Sequence, residues 1–180
     1  MTGHSHTLFA TPIGRCGIAW SPRGVAGFQL PESRDAATRA RLLRRFPDAS
    51  EAAPTAEVQA GIDAILALLG GAANDLSGIT LDMEGIAPFE RRVYEVARGI
   101  LPGSTLTYGE VAARLGEPDA ARAVGQALGR NPFAIIVPCH RVLAAGGKSG
   151  GFSAGGGVST KLRLLAIEGA RIGGEPGLFD

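Results

Sequence analysis

The spacing of apolar residues changes character near Pro88, and this switch constrains the fold more than any other feature of the 180-residue chain. Before it, Thr7–Ala10, Cys16–Trp20 and Val25–Leu30 are short extended runs. They are separated by Pro12-Ile13-Gly14 and Ser21-Pro22-Arg23-Gly24, the punctuation of hairpins. Two helices are expected next. Asp35–Phe46 presents Leu42, Leu43 and Phe46 as apolar contacts and is stopped by Pro47. Ala56–Leu69 carries Val58, Ile62, Ile65, Leu66 and Leu69 at helical spacing and ends at Gly70-Gly71. Ile79–Leu81 reads as one more strand. Residues 1–85 are therefore expected to form a small α/β unit.

Beyond Pro88 the period is helical. Phe89–Ile100 places Phe89, Val93, Val96, Ala97 and Ile100 on one face, and Leu101-Pro102-Gly103 breaks it. Thr107 and Glu110, a hydroxyl three residues before an acid, have the form of a capping box opening a helix over Glu110–Leu115. Gly116-Glu117-Pro118 turns the chain, and Asp119 is expected to cap a second helix, Ala120–Gly129. Two short helices joined by a Gly-containing turn make a helix-turn-helix pattern. The second helix is slim: Ala120, Ala121, Ala123, Gly125 and Ala127 are small, and Arg122, Gln126 and Arg130 are its long side chains. Such a helix serves either close approach to a backbone or groove, or tight packing against its neighbours. Phe133–Val137 is a continuous apolar run read as a buried strand. A glycine-rich loop over Gly146–Gly157 and a helix over Ser159–Ile167, closed by Gly169, complete a unit spanning 86–172, with 173–180 a loose tail.

Hydrophobic residues at 45% and charged residues at 19% exclude a disordered or polyelectrolyte chain. The sequence contains no apolar run long enough to span a membrane and, at its start, neither the basic nor the apolar region of a signal peptide. Its two cysteines, Cys16 and Cys139, lie far apart without a Cys-x-x-Cys pair, so a reduced cytoplasmic protein with no membrane contact is expected. Residues 1–85 carry seven Arg against nine acids, and residues 86–180 carry nine Arg and two Lys against eight. Only the second half is therefore net positive, which permits a polyanionic partner there. The dominance of Arg suits contact with phosphates, and a GC-rich gene would produce it as well.

Cys139 sits between Pro138 and His140 immediately after the apolar run. A thiol nucleophile needs a base or positive potential beside it, and His140 and Arg141 offer both. A cysteine at such a position can equally be an inert, buried small hydrophobe. Tyr108, taken by itself, is compatible with an aromatic at a helix start, and Glu168 with a solvated carboxylate in a last turn.

Pro138-Cys139-His140-Arg141-Val142, preceded by Arg130-Asn131-Pro132 and by Ala121-Arg122-Ala123-Val124-Gly125, resembles the O6-alkylguanine-DNA alkyltransferase family. Tyr108 and Glu168-Gly169 match in order, and the likeness covers residues 86–172. The resemblance implies a ribonuclease H-like N-terminal domain followed by a winged helix-turn-helix-like catalytic domain. It implies one irreversible transfer of an alkyl group from O6 of guanine, and less readily from O4-methylthymine, to the protein's own cysteine. Cys139 matches the acceptor, His140 the residue that draws off the thiol proton through a water, and Glu168 the carboxylate that orients this histidine. Tyr108 matches the hydroxyl donating to the departing purine, and Asn131 the amide bracing the cysteine turn. Arg122 matches the finger that fills the gap left by a flipped nucleotide. Ala121, Ala123, Gly125, Gln126 and Arg130, with Arg141, then belong to a surface that meets double-stranded DNA through its minor groove. Val142, Phe152 and Ser153 join Tyr108 in the purine pocket.

The chain also departs from the family. Gly151-Phe152-Ser153-Ala154 stands where a Tyr-Ser-Gly-Gly type sequence is common, and the stretch from Cys139 to Glu168 is a little longer than usual. Lys161-Leu162-Arg163-Leu164-Leu165 replaces the usual Lys-Glu-Trp-Leu-Leu and reads as a packing change. Cys16, His4 and His6 fall short of the two-Cys, two-His zinc set of some relatives, so no metal is expected. Nor is a cofactor expected. One-to-one transfer chemistry needs only a monomer. A non-catalytic lesion-binding protein and a thiol hydrolase are the competing readings.

Overall fold

A computed structural model describes residues 3–147 and 157–170. The chain begins with two hairpins, β1 (Ser5–Thr11), β2 (Gly14–Ser21) and β3 (Gly24–Gln29), all antiparallel. Helix α1 (Asp35–Arg45) then crosses back so that β4 (Ser50–Glu51) pairs parallel with β1, giving the sheet order β3-β2-β1-β4. Side-chain size decides how closely α1 approaches. A Cβ on Gly17 would lie 3.1 Å from Leu42, and one on Gly27 would meet the Phe46 ring, so small residues on the sheet make room for the helix. On β2 the alternate positions Cys16, Ile18 and Trp20 are buried, and join α2 (Ala56–Leu69) through Val58, Ile62 and Ile65. Thr55 caps α2 by accepting from the Val58 N–H, as an N-cap hydroxyl should.

The second half contains α3 (Pro88–Arg98), β5 (Leu106–Thr107), α4 (Tyr108–Arg114), α5 (Ala121–Gly129), β6 (Val142–Leu143) and α6 (Val158–Ile167). Pro88 occupies the first turn of α3, where its missing N–H costs nothing. The capping box on α4 is complete, with Thr107 and Glu110 satisfying each other's backbone N–H. Gly116, at φ 78°, turns the chain towards α5, and β5 and β6 form a short parallel pair. A single apolar core runs through both halves, from Ile18 and Phe28 to Val93, Val124 and Leu164. Polar contacts fasten the same junction. Arg98 donates to the Leu76 and Ile79 carbonyls at 3.0 and 2.9 Å, the Phe28 N–H reaches the Pro132 carbonyl at 2.8 Å, and Arg163 reaches Pro12 at 2.8 Å.

Three local expectations need correction. Ile79–Leu81 contributes one bridge, Leu81 to Val25, because the chain turns at once around Asp82, whose carboxylate accepts from Ser21 and from the Glu84 N–H. Asp119 does not cap α5: Ala120 is the N-cap residue and no side chain closes it. Phe133–Val137 is buried without being a strand, for a reason given below. Phe152, Ser153 and the tail lie outside the described residues.

The β2–β3 turn supplies a stability test. Gly24 has φ 136°, and a Cβ there would stand 2.6 Å from the Thr80 carbonyl oxygen. Gly24→Ala combines backbone strain with a collision against main chain and should lower the unfolding free energy by about 1–3 kcal/mol, measured by urea denaturation.

Candidate active site

The apolar run is bent by two tight turns that aim the cysteine. The Ile136 N–H donates to the Ala134 carbonyl at 2.9 Å, around Ile135 at φ 72°. The Cys139 N–H donates to the Val137 carbonyl at 2.8 Å, around Pro138 at φ −80°, ψ 68°, the geometry of an inverse γ-turn. A left-handed, β-branched residue costs about 1–3 kcal/mol and persists only where its surroundings impose it. Asn131 imposes it here. Its amide donates to the Val137 carbonyl at 2.9 Å while its oxygen accepts from the Phe133 N–H at 2.9 Å, so one side chain ties both ends of the bend. Periodicity cannot separate such a segment from a strand, since both are short, apolar and buried.

Cys139 opens a 3₁₀ turn through Arg141 and is partly buried at the floor of a groove of ≈ 660 Å³. Tyr108, Ala121, Arg122, Gly125, Gln126 and Asn131 line that groove with it. The α5 positions are what a slim helix provides: a Cβ on Gly125 would touch the Tyr108 ring at 3.9 Å. Arg122 is exposed on this helix. Ala123 and Val142 do not line this groove, and the Val142 side chain is fully buried in β6. Arg130 is exposed and paired with Glu90 at 3.1 Å.

Beneath the thiol lies a buried polar cluster. Glu168 Oε1 is 2.8 Å from His140 Nε2, and both its oxygens accept from Arg141, at 2.9 and 2.7 Å. The Arg141 guanidinium also donates to the Ile100 carbonyl at 2.6 Å. Arg141 is only 4% exposed, so the expectation that it meets DNA is wrong: its charge is turned inward to neutralise Glu168. The Glu168 side chain is equally enclosed, which rules out a solvated carboxylate. Its carboxyl is held down at about 2 because hydrogen bonds and charge from His140 and Arg141 outweigh the opposing effect of burial.

The remaining shifts define resting protonation states. Burial lowers His140 despite the Glu168 hydrogen bond, so the imidazole rests neutral. With Nε2–H donated to the carboxylate, its Nδ1 carries the lone pair, and that atom is buried without a partner. Burial raises the Cys139 thiol, opposed by a hydrogen bond from Asn131 and by the charge of Lys161. Tyr108 is raised by burial and stays a hydrogen-bond donor. Lys161, read from sequence as packing, is fully buried; its Nζ donates to the Val142 carbonyl at 2.8 Å and sits 6.0 Å from the Tyr108 ring centre. The signal was its spacing, since Lys161 shares a helical stripe with the buried Leu164 and Leu165.

The match to known proteins follows this geometry. Residues 88–170 fit the family model described as the 6-O-methylguanine DNA methyltransferase DNA-binding domain. The methylated-DNA–protein-cysteine methyltransferase of Methanothermobacter thermautotrophicus is 35% identical over 164 residues, 91% of this chain and 85% of that one. This chain belongs to that methyltransferase family. The Mycobacterium tuberculosis member is 48% identical over 102 residues, 57% of this chain and 60% of that protein. The crystal structure of Mycobacterium tuberculosis OGT in complex with DNA superposes with a TM-score of 0.69 at 32% identity, covering 91% of this chain and 92% of that one. The methyltransferase cluster around Glu168 has a pH signature. A carboxyl held below its ordinary 4.5 stabilises the fold above that value, and the contribution is lost as pH falls towards about 2. Glu168→Gln should cost roughly 3–5 kcal/mol at pH 7, by stranding Arg141, and should flatten this acid limb in urea titrations across the window.

Proposed function

We propose that the chain repairs DNA by moving the alkyl group of O6-alkylguanine onto Cys139 in a single turnover. The observation that carries this reading is the orphaned, buried Nδ1 of a neutral imidazole directly following the thiol residue, with its other nitrogen pinned to Glu168. Such a nitrogen can take the thiol proton through one bridging water. The thiolate sulfur then attacks the alkyl carbon: the S–C bond forms as the C–O6 bond breaks, and the electron pair leaves with the purine. The purine gains a proton, in this reading from the Tyr108 hydroxyl that lines the groove, and the proton taken from the thiol by His140 makes good that loss. Lys161 and Asn131 favour the thiolate once the base has acted. No step calls for a metal or cofactor.

An alkylated O6 inside a duplex cannot reach a sulfur at the floor of a groove, so the nucleotide must be extruded, at a cost of a few kcal/mol. In this reading α5 enters the minor groove, its small residues allowing close approach, and Arg122 fills the vacated stack. The β3-β2-β1-β4 order is in keeping with a ribonuclease H-like first half, and α3 to α5 with a winged helix-turn-helix second half, with the boundary near residue 85.

The test uses an oligonucleotide carrying O6-methylguanine, with intact-protein mass and peptide mapping. One methyl group on Cys139 is expected, and none on Cys139→Ala, which should still bind the DNA. Bound DNA with unchanged protein mass would indicate a lesion-binding protein, and repeated turnover of an ester or peptide a hydrolase. Arg122→Ala should slow repair of the duplex while sparing reaction with free O6-benzylguanine. Equal losses on both substrates would remove Arg122 from the extrusion step.

A further inference from the structure

The groove has a second wall, and it belongs to the N-terminal half. Phe28, Gln29 and Leu30 at the end of β3, together with Arg41 and Arg45 of α1, line it alongside the α5 residues and Cys139. Its charge is one-sided: Arg41, Arg45 and Arg122 line the groove, and among the described residues no aspartate or glutamate does. Arg41 is anchored, its Nη1 2.6 Å from Glu32. Arg45 is exposed and makes no ion pair with a carboxylate among the described residues. The charged or titratable groups bearing on it are the Arg41 guanidinium and the Tyr94 phenol, and burial keeps that phenol neutral.

Two features of this placement oppose the Arg45 charge and one favours it. Arg41 and Arg45 are four residues apart on one helix, the spacing at which like charges oppose each other. Arg45 is exposed but partly desolvated, and that desolvation works in the same direction. The last turn of α1, which favours a cation, holds both Arg44, outside the groove, and Arg45, which faces it. Arg41 is already balanced by Glu32, so the charge left for an anion in the groove to meet on this wall is that of Arg45. The space, ≈ 660 Å³, lies in the range of about 300–1,000 Å³ that holds drug-sized ligands, room for a nucleotide with its phosphate as well as a base.

We infer that α1 is a phosphate clamp: Arg45, backed by the anchored Arg41, contacts a backbone phosphate of the DNA strand that delivers the extruded nucleotide, across the groove from Arg122. This gives the N-terminal half a part in DNA binding, and it rests on the repair reading above. A phosphate contact adds affinity irrespective of sequence and releases a counterion, so it is legible in the salt dependence of binding.

The experiment measures duplex binding by the full chain at several salt concentrations, together with methyl uptake. Arg45→Gln is expected to weaken binding about tenfold and to reduce the slope of log affinity against log salt by about 0.9. Arg45→Lys keeps a cation at the same place and should restore most of both, whereas a purely structural role for the guanidinium would not be rescued. Arg44→Gln, outside the groove, should match the wild type in affinity and slope. The reaction with free O6-benzylguanine, which carries no phosphate, should not share the Arg45→Gln loss. If the wild type takes up methyl from the duplex and Arg45→Gln binds with unchanged affinity and slope, the clamp is overturned and the repair reading stands. A loss that Arg45→Lys fails to rescue, or one shared by the free base, also overturns the clamp. A wild type that gains no methyl overturns the repair reading itself.

Discussion

Burying a carboxylate is costly unless its lone pairs are filled, and Glu168 fills them from two directions. Arg141 takes both oxygens while His140 takes one, so the end of α6 is fixed against the 3₁₀ turn that starts at Cys139. Arg141 extends the tie to the Ile100 carbonyl beyond α3, and Lys161 ties α6 to β6 through Val142. Three segments that are distant in sequence thus converge under one sulfur. Asn131 does the same from the other side, closing the bend that carries Ile135 at positive φ. The position of the thiol is therefore imposed by polar groups set within the apolar core.

Sequence pattern made the long elements legible because each carries a repeated apolar signal with its own stop. Helix α2 runs from Ala56 to Leu69 as its spacing predicts, and the Thr107–Glu110 box stands where a hydroxyl and an acid are three residues apart. The bend at 133–137 was illegible for a physical reason: burial selects the same side chains for a γ-turned loop as for a strand, and only the Asn131 brace distinguishes them. Arg141 misled by its chemistry. A guanidinium beside a candidate nucleophile suits phosphate and buried carboxylate equally, and choosing between them requires knowing where Glu168 lies. The groove wall formed by α1 had no local signature, because Arg41 and Arg45 look like the solvated face of an amphipathic helix until α5 is placed opposite.

The resting charges are arranged so that the site is quiet before substrate arrives. The thiol is held protonated by burial, and its base is neutral with one nitrogen free. Thiolate character governs both nucleophilicity and susceptibility to oxidation. A permanently ionised Cys139 would react with small electrophiles and oxidants in solution as well as with alkylated DNA. For a protein whose acceptor is consumed by one transfer, each such event destroys a molecule. A raised thiol beside a neutral base stays protonated in the free protein, so its ionisation waits on the base taking the proton.

The same reasoning separates the two cysteines. Cys16 is also buried, and its thiol is pushed up to about 12, with only the Thr11 hydroxyl opposing desolvation. Among the described residues no base or cation bears on it, so only the Thr11 hydroxyl works against burial, and it behaves as a small core residue. At Cys139 desolvation meets the Asn131 amide, the Lys161 charge and the backbone N–H groups of Cys139 and His140. Burial alone therefore silences a thiol, and burial set against nearby counter-acting groups holds one ready. That difference, more than the depth of either sulfur, marks which of the two can act as an acceptor.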